Sequence, residues 1–94
     1  MKKIVFLFSL VLAALGAQAK YIRFSVDMTD QVVNVAGVHL TGDFQALLGL
    51  TGGDWQANTI TMEQQADTNM YSVVLNLPAF RKYEYKFVNG DQFY

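Results

Sequence analysis

The sequence runs Tyr83-Glu84-Tyr85-Lys86-Phe87-Val88-Asn89-Gly90 near its C-terminal end, and this stretch decides how the fold is interpreted. Aromatic side chains alternate with other residues, which predicts a strand whose aromatic face is turned to the core. The Asn-Gly pair predicts a type I′ hairpin turn, because both central residues of that turn need positive φ. Only residues 91–94 follow it. We therefore expect a sheet that lacks its last strand or strands, or one that another chain completes.

Upstream of this stretch the chain repeats the strand pattern. Apolar residues alternate with polar ones in four further segments, and Pro78 ends the clearest of them because proline lacks the donor that a ladder needs. No segment after residue 19 keeps an apolar period of 3.6 residues. Short strands separated by turn residues predict an all-β, antiparallel β-sandwich. The four predicted strands are Tyr21–Met28, Val38–Thr41, Thr59–Glu63 and Tyr71–Leu77.

The N-terminus has the form of a secretory signal peptide. Two lysines precede an apolar run from Ile4 to Leu15, and Ala17-Gln18-Ala19 forms an A-x-A cleavage site. The run is too short for a membrane span of ~20 residues. We therefore expect a signal peptide at 1–19 and one exported domain at 20–94, located in the periplasm, on the cell surface or outside the cell.

Composition narrows the possible partners. From Lys20 onward five basic side chains accompany eight acidic ones, for a formal net charge of −3. This charge is unsuited to nucleic acid or to anionic lipid. The chain has no cysteine, so neither a disulfide nor a lipid-modified cysteine can form. An exported domain of this size must be stabilised by its core alone.

Residues with catalytic chemistry are sparse. His39 is the single histidine and lies in a predicted strand, where a solvent-facing or half-buried position is expected. No motif pairs a nucleophile with a base, so we expect neither an enzyme nor a cofactor. Asp43, Asp54 and Asp91 could in principle gather around Ca²⁺, but their spacing matches no calcium loop, and capping of turns is the simpler role.

One connection is unusually long for a compact domain. Residues 45–58 contain three glycines and the only tryptophan, Trp55, without alternation. Loops of this length often carry function. Trp55 and Phe93 lie in predicted loops and Lys86 on the outer face of its strand, so core packing does not explain them. Flat apolar rings beside a few polar groups are typical of small-ligand sites.

Three motifs together resemble early-set immunoglobulin-like modules related to glycogen- and starch-binding domains. They are Gly42-Asp43-Phe44, Leu75-Asn76-Leu77-Pro78 and the Tyr83–Gly90 stretch. The resemblance implies an immunoglobulin-like sandwich and a glycan ligand. It implies that Lys86 is the sugar-binding lysine and that Phe93 replaces a tryptophan, whereas Leu47 stands where those modules carry their first tryptophan. Trp55 is a hypothetical substitute.

The functional expectation is a secreted, non-catalytic module that recognises starch, glycogen or another polysaccharide. Trp55 and Phe93 would stack on pyranose rings, and Lys86 and Asn89 would bond hydroxyl groups. The alternative is a structural spacer or protein-interaction domain of a larger exported protein, without a sugar site. An unfinished sheet also predicts a marginal or oligomeric chain, because a free edge invites strand addition.

Overall fold

The computed structural model describes residues 19–93, so Tyr94 and nearly all of the predicted signal peptide lie outside the described residues. This range contains no helix, and hence none long and apolar enough to cross a membrane. It is built from strands and turns alone, which confirms the all-β prediction. The strands are β1 (Ala19–Asp27), β2 (Val38–Gly42), β3 (Glu63–Gln64), β4 (Met70–Pro78) and β5 (Tyr85–Asn89).

The strands form two antiparallel sheets. β4 lies between β1 and β3 in one sheet, and β2 pairs with β5 in the other. The predicted strands at β1, β2, β4 and β5 are confirmed, and Pro78 is the last residue of β4 as expected. The prediction for Thr59–Glu63 is wrong in its bounds, because regular pairing there is confined to β3.

Residues 59–64 connect the two sheets, and we refer to them as the crossing segment. Its first half lies along β2: Leu40 donates its N–H to the Ile60 carbonyl at 3.0 Å, and Met62 donates to the Val38 carbonyl at 2.8 Å. Its second half is β3, which pairs with β4. The segment therefore closes one side of the two-sheet structure.

The core lies between the sheets and draws on both. Alternate residues of β1 and β4 face it, as the period of two predicts. Phe24 of β1 packs on Phe44, with ring centroids 5.5 Å apart. The buried residues of this cluster are Phe24, Met28, Val38, Leu40, Phe44, Ile60, Met62 and Leu77.

The Gly42-Asp43-Phe44 motif is explained by the fold. A Cβ on Gly42 would lie only 2.4 Å from both the Glu84 carbonyl oxygen and the Phe44 ring, so glycine is required by space. Two hydrogen bonds join Asp43 and Glu84. The Asp43 N–H donates to the Glu84 carbonyl, and the Asp43 carboxylate accepts the Glu84 N–H. Phe44 is fully buried. All three residues therefore serve the β2–β5 junction and the core.

The connection from β4 to β5 turns a corner between the two sheets. The Tyr83 hydroxyl donates to the Pro78 carbonyl at 2.6 Å. Its ring packs edge-on against Phe44 at 6.1 Å between centroids, and the Arg81 guanidinium lies 5.6 Å from the ring centre. The tyrosine thus ties the start of β5 to the end of β4.

The predicted type I′ turn at Asn89-Gly90 is wrong. Gly90 has φ +114°, but Asn89 has no positive φ and is the last residue of β5. Gly90 instead continues the ladder by donating its N–H to the Gly37 carbonyl at 2.8 Å. Residues 91–93 form no strand. Local turn preference is overridden because the Asn89 side chain is engaged elsewhere.

Two predictions of burial also need correction. Tyr85 and Phe87 share the face of Leu40 and Gly42, yet 49 % and 36 % of their surfaces are exposed, because β5 lies at the edge of its sheet. His39 was expected at or near the solvent but is only 5 % exposed. Its Nδ1 contacts the Gly90 carbonyl at 2.5 Å. The second face of β2 is therefore covered as well.

Candidate functional site

The long loop, residues 45–58, is held to the outer face of β2 by one buried amide. Gln45 is fully buried. Its Oε1 accepts hydrogen bonds from the Thr41 hydroxyl (2.9 Å), the Gly42 N–H (3.1 Å) and the Gln56 N–H (3.2 Å). Its Nε2 donates to the Gln56 carbonyl (2.8 Å) and to the Thr59 hydroxyl (2.6 Å). One side chain thus joins strand, loop and crossing segment.

Trp55 is presented by this anchored loop. Its backbone N–H donates to the Gly42 carbonyl at 3.1 Å, and the preceding Asp54 accepts the Ala46 N–H at 2.8 Å. Its φ of +60° lies in the left-handed region, which a bulky residue seldom adopts. About a third of the side chain, 37 %, remains exposed. Strain of this kind persists only where the surroundings impose it, and it occurs often at binding sites.

Lys86 lies on the same side of the sheet as the long loop. It is the cross-strand partner of Thr41, and directly opposed residues in an antiparallel pair point to the same face. The Thr41 hydroxyl bonds Gln45, so that face is the one the loop covers. The carbonyl of Gly42, the residue after Thr41, accepts a hydrogen bond from the Trp55 N–H. Trp55 and Lys86 thus both lie near the Thr41–Gly42 end of β2, on either side of that strand.

Asn89 and Phe93 lie at the other end of β5. Tyr85 and Asn89 are the first and last residues of β5, four steps of about 3.3 Å or about 13 Å apart. The Asn89 side chain accepts the Asn34 N–H at 2.8 Å and donates to the Val32 carbonyl at 2.9 Å, so it fastens the loop between β1 and β2. Phe93 lies beyond Gly90 and is 58 % exposed. Of the four predicted site residues, Trp55 and Lys86 thus lie towards the start of β5, and Asn89 and Phe93 lie at and beyond its end.

A shallow groove of about 370 Å³ lies on the other sheet, where sequence patterns pointed to no site. Its floor is β4, and the crossing segment and Gln65 form one wall. Gln65 donates to the Ser72 hydroxyl at 2.6 Å and thereby buries it. Polar outward positions are ordinary in a strand, so alternation alone could not have indicated a groove. The lining residues are Arg23, Thr61, Glu63, Gln65, Ser72, Val73 and Val74.

Two of the three carboxylates considered for Ca²⁺, those of Asp43 and Asp54, serve the backbone instead. Asp43 accepts the Glu84 N–H at 3.1 Å, and Asp54 accepts the Ala46 N–H at 2.8 Å. Residues 19–93 contain no group of three or more histidine or acidic side chains placed to hold a metal ion. The two aspartates are therefore structural caps of the turns they occupy.

Gln45 is the residue that reading the sequence missed. Nothing in a polar residue after Gly-Asp-Phe signals a fully buried anchor, since the partners of Gln45 are brought together only by folding. Comparison with protein-family models, with curated proteins and with solved structures gives no match. The sequence and the geometry of the chain itself are therefore the only guides to its function.

Proposed function

We propose that the chain is an early-set immunoglobulin-like β-sandwich module. The support is the sequence resemblance together with the corner at Tyr83. In immunoglobulin-like folds a tyrosine near the start of the sixth strand bonds backbone upstream, at the connection between the sheets. Tyr83 has the same relation to Pro78, between β4 and β5.

Export is the second part of the proposal. Residues 1–19 act as a signal peptide, and the module at 20–94 functions in the periplasm, on the cell surface or outside the cell. The support is the lysine pair, the apolar run and the A-x-A site. Intact mass measurement of the protein recovered from the exported fraction tests it. A chain that begins at Lys20 is expected, and one that retains Met1 contradicts the proposal.

The proposed activity is non-catalytic glycan binding at the surface formed by Trp55 and Lys86. The observation that carries it is the anchored, left-handed backbone of Trp55, which leaves the residue partly exposed near the end of β2 that pairs with Lys86. The ring offers a flat apolar face to a pyranose, and the ammonium group donates to its hydroxyls. Because Gln45 fixes the loop in advance, little ordering is needed on binding.

Within this proposal the ligand contacts fewer residues than the four predicted from the sequence. Two polar atoms of Asn89 already bond the loop between β1 and β2, so we assign Asn89 to the fold and not to the ligand. Phe93 follows the end of β5 and is exposed, so we keep it as a contact for a longer oligosaccharide. A ligand that engages Trp55 and Lys86 alone is small, so micromolar to millimolar Kd, about −8 to −4 kcal/mol, is expected.

Titration with soluble starch, glycogen and β-glucans tests the activity. Trp55 fluorescence should respond to the ligand, and calorimetry should show binding at least about tenfold weaker for Trp55→Ala. The matched control is Tyr21→Ala, which removes an exposed aromatic residue from the outer face of β1 and should leave affinity unchanged. Absence of binding to every glycan, by a folded protein, would exclude this function.

A spacer or protein-interaction module is the second candidate. The observation that favours it is that Gly42, Asp43 and Phe44, which carry part of the resemblance, are fully used by the fold. Under this alternative Trp55 shields the loop and binds nothing. The same titration separates the two, because a spacer gives no glycan response while keeping its stability.

A further inference from the structure

The side of the molecule opposite the crossing segment is open. There β1 and β5 are the edge strands of their sheets, and within residues 19–93 β5 has β2 as its only neighbour. Phe24 of β1 meets Tyr85 of β5 edge-on at 5.0 Å between ring centroids, and Tyr85 meets Phe87 at 5.6 Å. Tyr85 and Phe87 are both partly exposed, so apolar surface adjoins a free strand edge.

The backbone of this edge points outward. In an antiparallel ladder, opposed residues alternate between pairs that bond each other and pairs whose N–H and C=O point away. Gly42, opposite Tyr85, directs both of its backbone groups to the long loop. Leu40, opposite Phe87, donates its N–H to the crossing segment. The N–H and C=O of Tyr85 and Phe87 therefore point away from β2.

We propose that this edge pairs with the same edge of a second copy of the chain, antiparallel and about a twofold axis at Tyr85. That register places Glu84 opposite Lys86 of the second copy, and Lys86 opposite its Glu84. On the other face Tyr85 lies opposite itself, and Phe87 lies opposite Tyr83, which precedes β5 and whose ring also packs on Phe44. Both kinds of cross-strand pair are favourable.

The sequence of the edge argues for a second copy over an unrelated strand. Read in either direction from Tyr85, residues 83–87 give aromatic, charged and aromatic side chains, with opposite charges at 84 and 86. The opposite charges at 84 and 86 face each other across two antiparallel copies only in this register, in which Glu84 immediately precedes β5. A shift of two residues places Lys86 opposite Lys86 or Glu84 opposite Glu84, which is unfavourable. An isologous contact of this kind closes as a dimer.

Charge exchange tests the proposal in the protein produced from the full sequence. Sedimentation without glycan should show a monomer–dimer equilibrium. Lys86→Glu or Glu84→Lys alone sets like charges opposite each other at both symmetric pairs and should weaken dimerisation by about tenfold. The double variant restores both pairs and should dimerise like the parent.

Mixing the two single variants gives the sharpest outcome. A heterodimer of Lys86→Glu with Glu84→Lys has opposite charges at both positions, so the mixture should dimerise about as well as the parent while each variant alone does not. Circular dichroism and urea unfolding establish that each variant is folded. A parent that stays monomeric up to about 1 mM overturns the proposal. So does a dimer that single changes leave intact or that mixing fails to restore.

Discussion

Replacement of Gln45 by methionine should release the long loop and destabilise the whole module. Methionine has a similar length but neither donates nor accepts strongly, so the change removes the hydrogen bonds of the amide with little change in volume. Its five bonds link the strand β2, the long loop and Thr59 of the crossing segment. The loss in free energy of unfolding depends on the hydrogen-bonding groups that Gln45 leaves without a partner.

The size of this destabilisation depends on which hydrogen-bond partners of Gln45 stay buried in the variant. Thr41 and Gly42 are both buried, so the Thr41 hydroxyl and the Gly42 N–H lose their acceptor without reaching water. An unsatisfied buried group costs about 1–3 kcal/mol. The two together give about 2–6 kcal/mol, and rotation of the hydroxyl to another acceptor places the expected loss near 3 kcal/mol. A domain of this size has about 3–5 kcal/mol in total.

Urea unfolding followed by Trp55 fluorescence measures the effect. With an m-value of about 1 kcal/mol/M, the midpoint should fall by about 3 M, or the protein should be unfolded without urea. Gln56→Met is the matched control, because its side chain makes one exposed bond, to the Gly52 carbonyl at 3.3 Å. The control should cost less than about 0.5 kcal/mol. Equal midpoints for the two variants would refute the assignment of Gln45 as the anchor.

Three further perturbations test other parts of the structure. Gly42→Ala should cost about 3 kcal/mol or more in urea unfolding, because its Cβ meets backbone and a core ring at 2.4 Å, whereas Gly49→Ala, with φ +73° and open space, should cost only about 1–2 kcal/mol. Asn89→Ala should cost about 1–2 kcal/mol but leave glycan affinity unchanged, and a selective loss of affinity would return Asn89 to the site. The side chain and N–H of Thr29 bond Asp27 and lower the pKa of its carboxyl from the usual 3.8, so the stability this contributes is present above pH 4 and is lost as the pH falls through the lowered pKa. Thr29→Ala removes the hydroxyl bond but keeps the N–H bond, so titration by NMR should show the pKa of Asp27 raised part of the way towards its usual value, and an unchanged pKa would contradict the assigned cause.

Alternation along the chain was enough to locate most strands. The bounds of β1, β2 and β4 differ from the sequence-based prediction by one or two residues, because each of these strands has one face against the core and its side chains must alternate. Pro78 ends β4 for a reason that is local to its own backbone. Trp55 and Lys86 were singled out from the sequence because neither fitted a core position, and their role in a binding site stays a prediction.

The alternation of side chains could not show which face of a strand is covered by other segments of the chain. Tyr85 and Phe87 lie on the side predicted for the core, but no strand follows β5 at its edge within residues 19–93, so they remain partly exposed. His39 lies on the side predicted for solvent and is buried. Burial depends on which segments pack against a strand, and these lie far away in sequence.

The sequence by itself determined the extended backbone, the two-layer arrangement and the residues that no core would explain, because each follows from the spacing of neighbouring side chains. Only the tertiary structure decided that Gln45 anchors the long loop, that Asn89 holds a loop more than 50 residues away, and that Asn89-Gly90 forms no hairpin turn. Hydrogen bonds between distant segments outweigh local turn preference, since a buried donor or acceptor must find its partner wherever folding brings one.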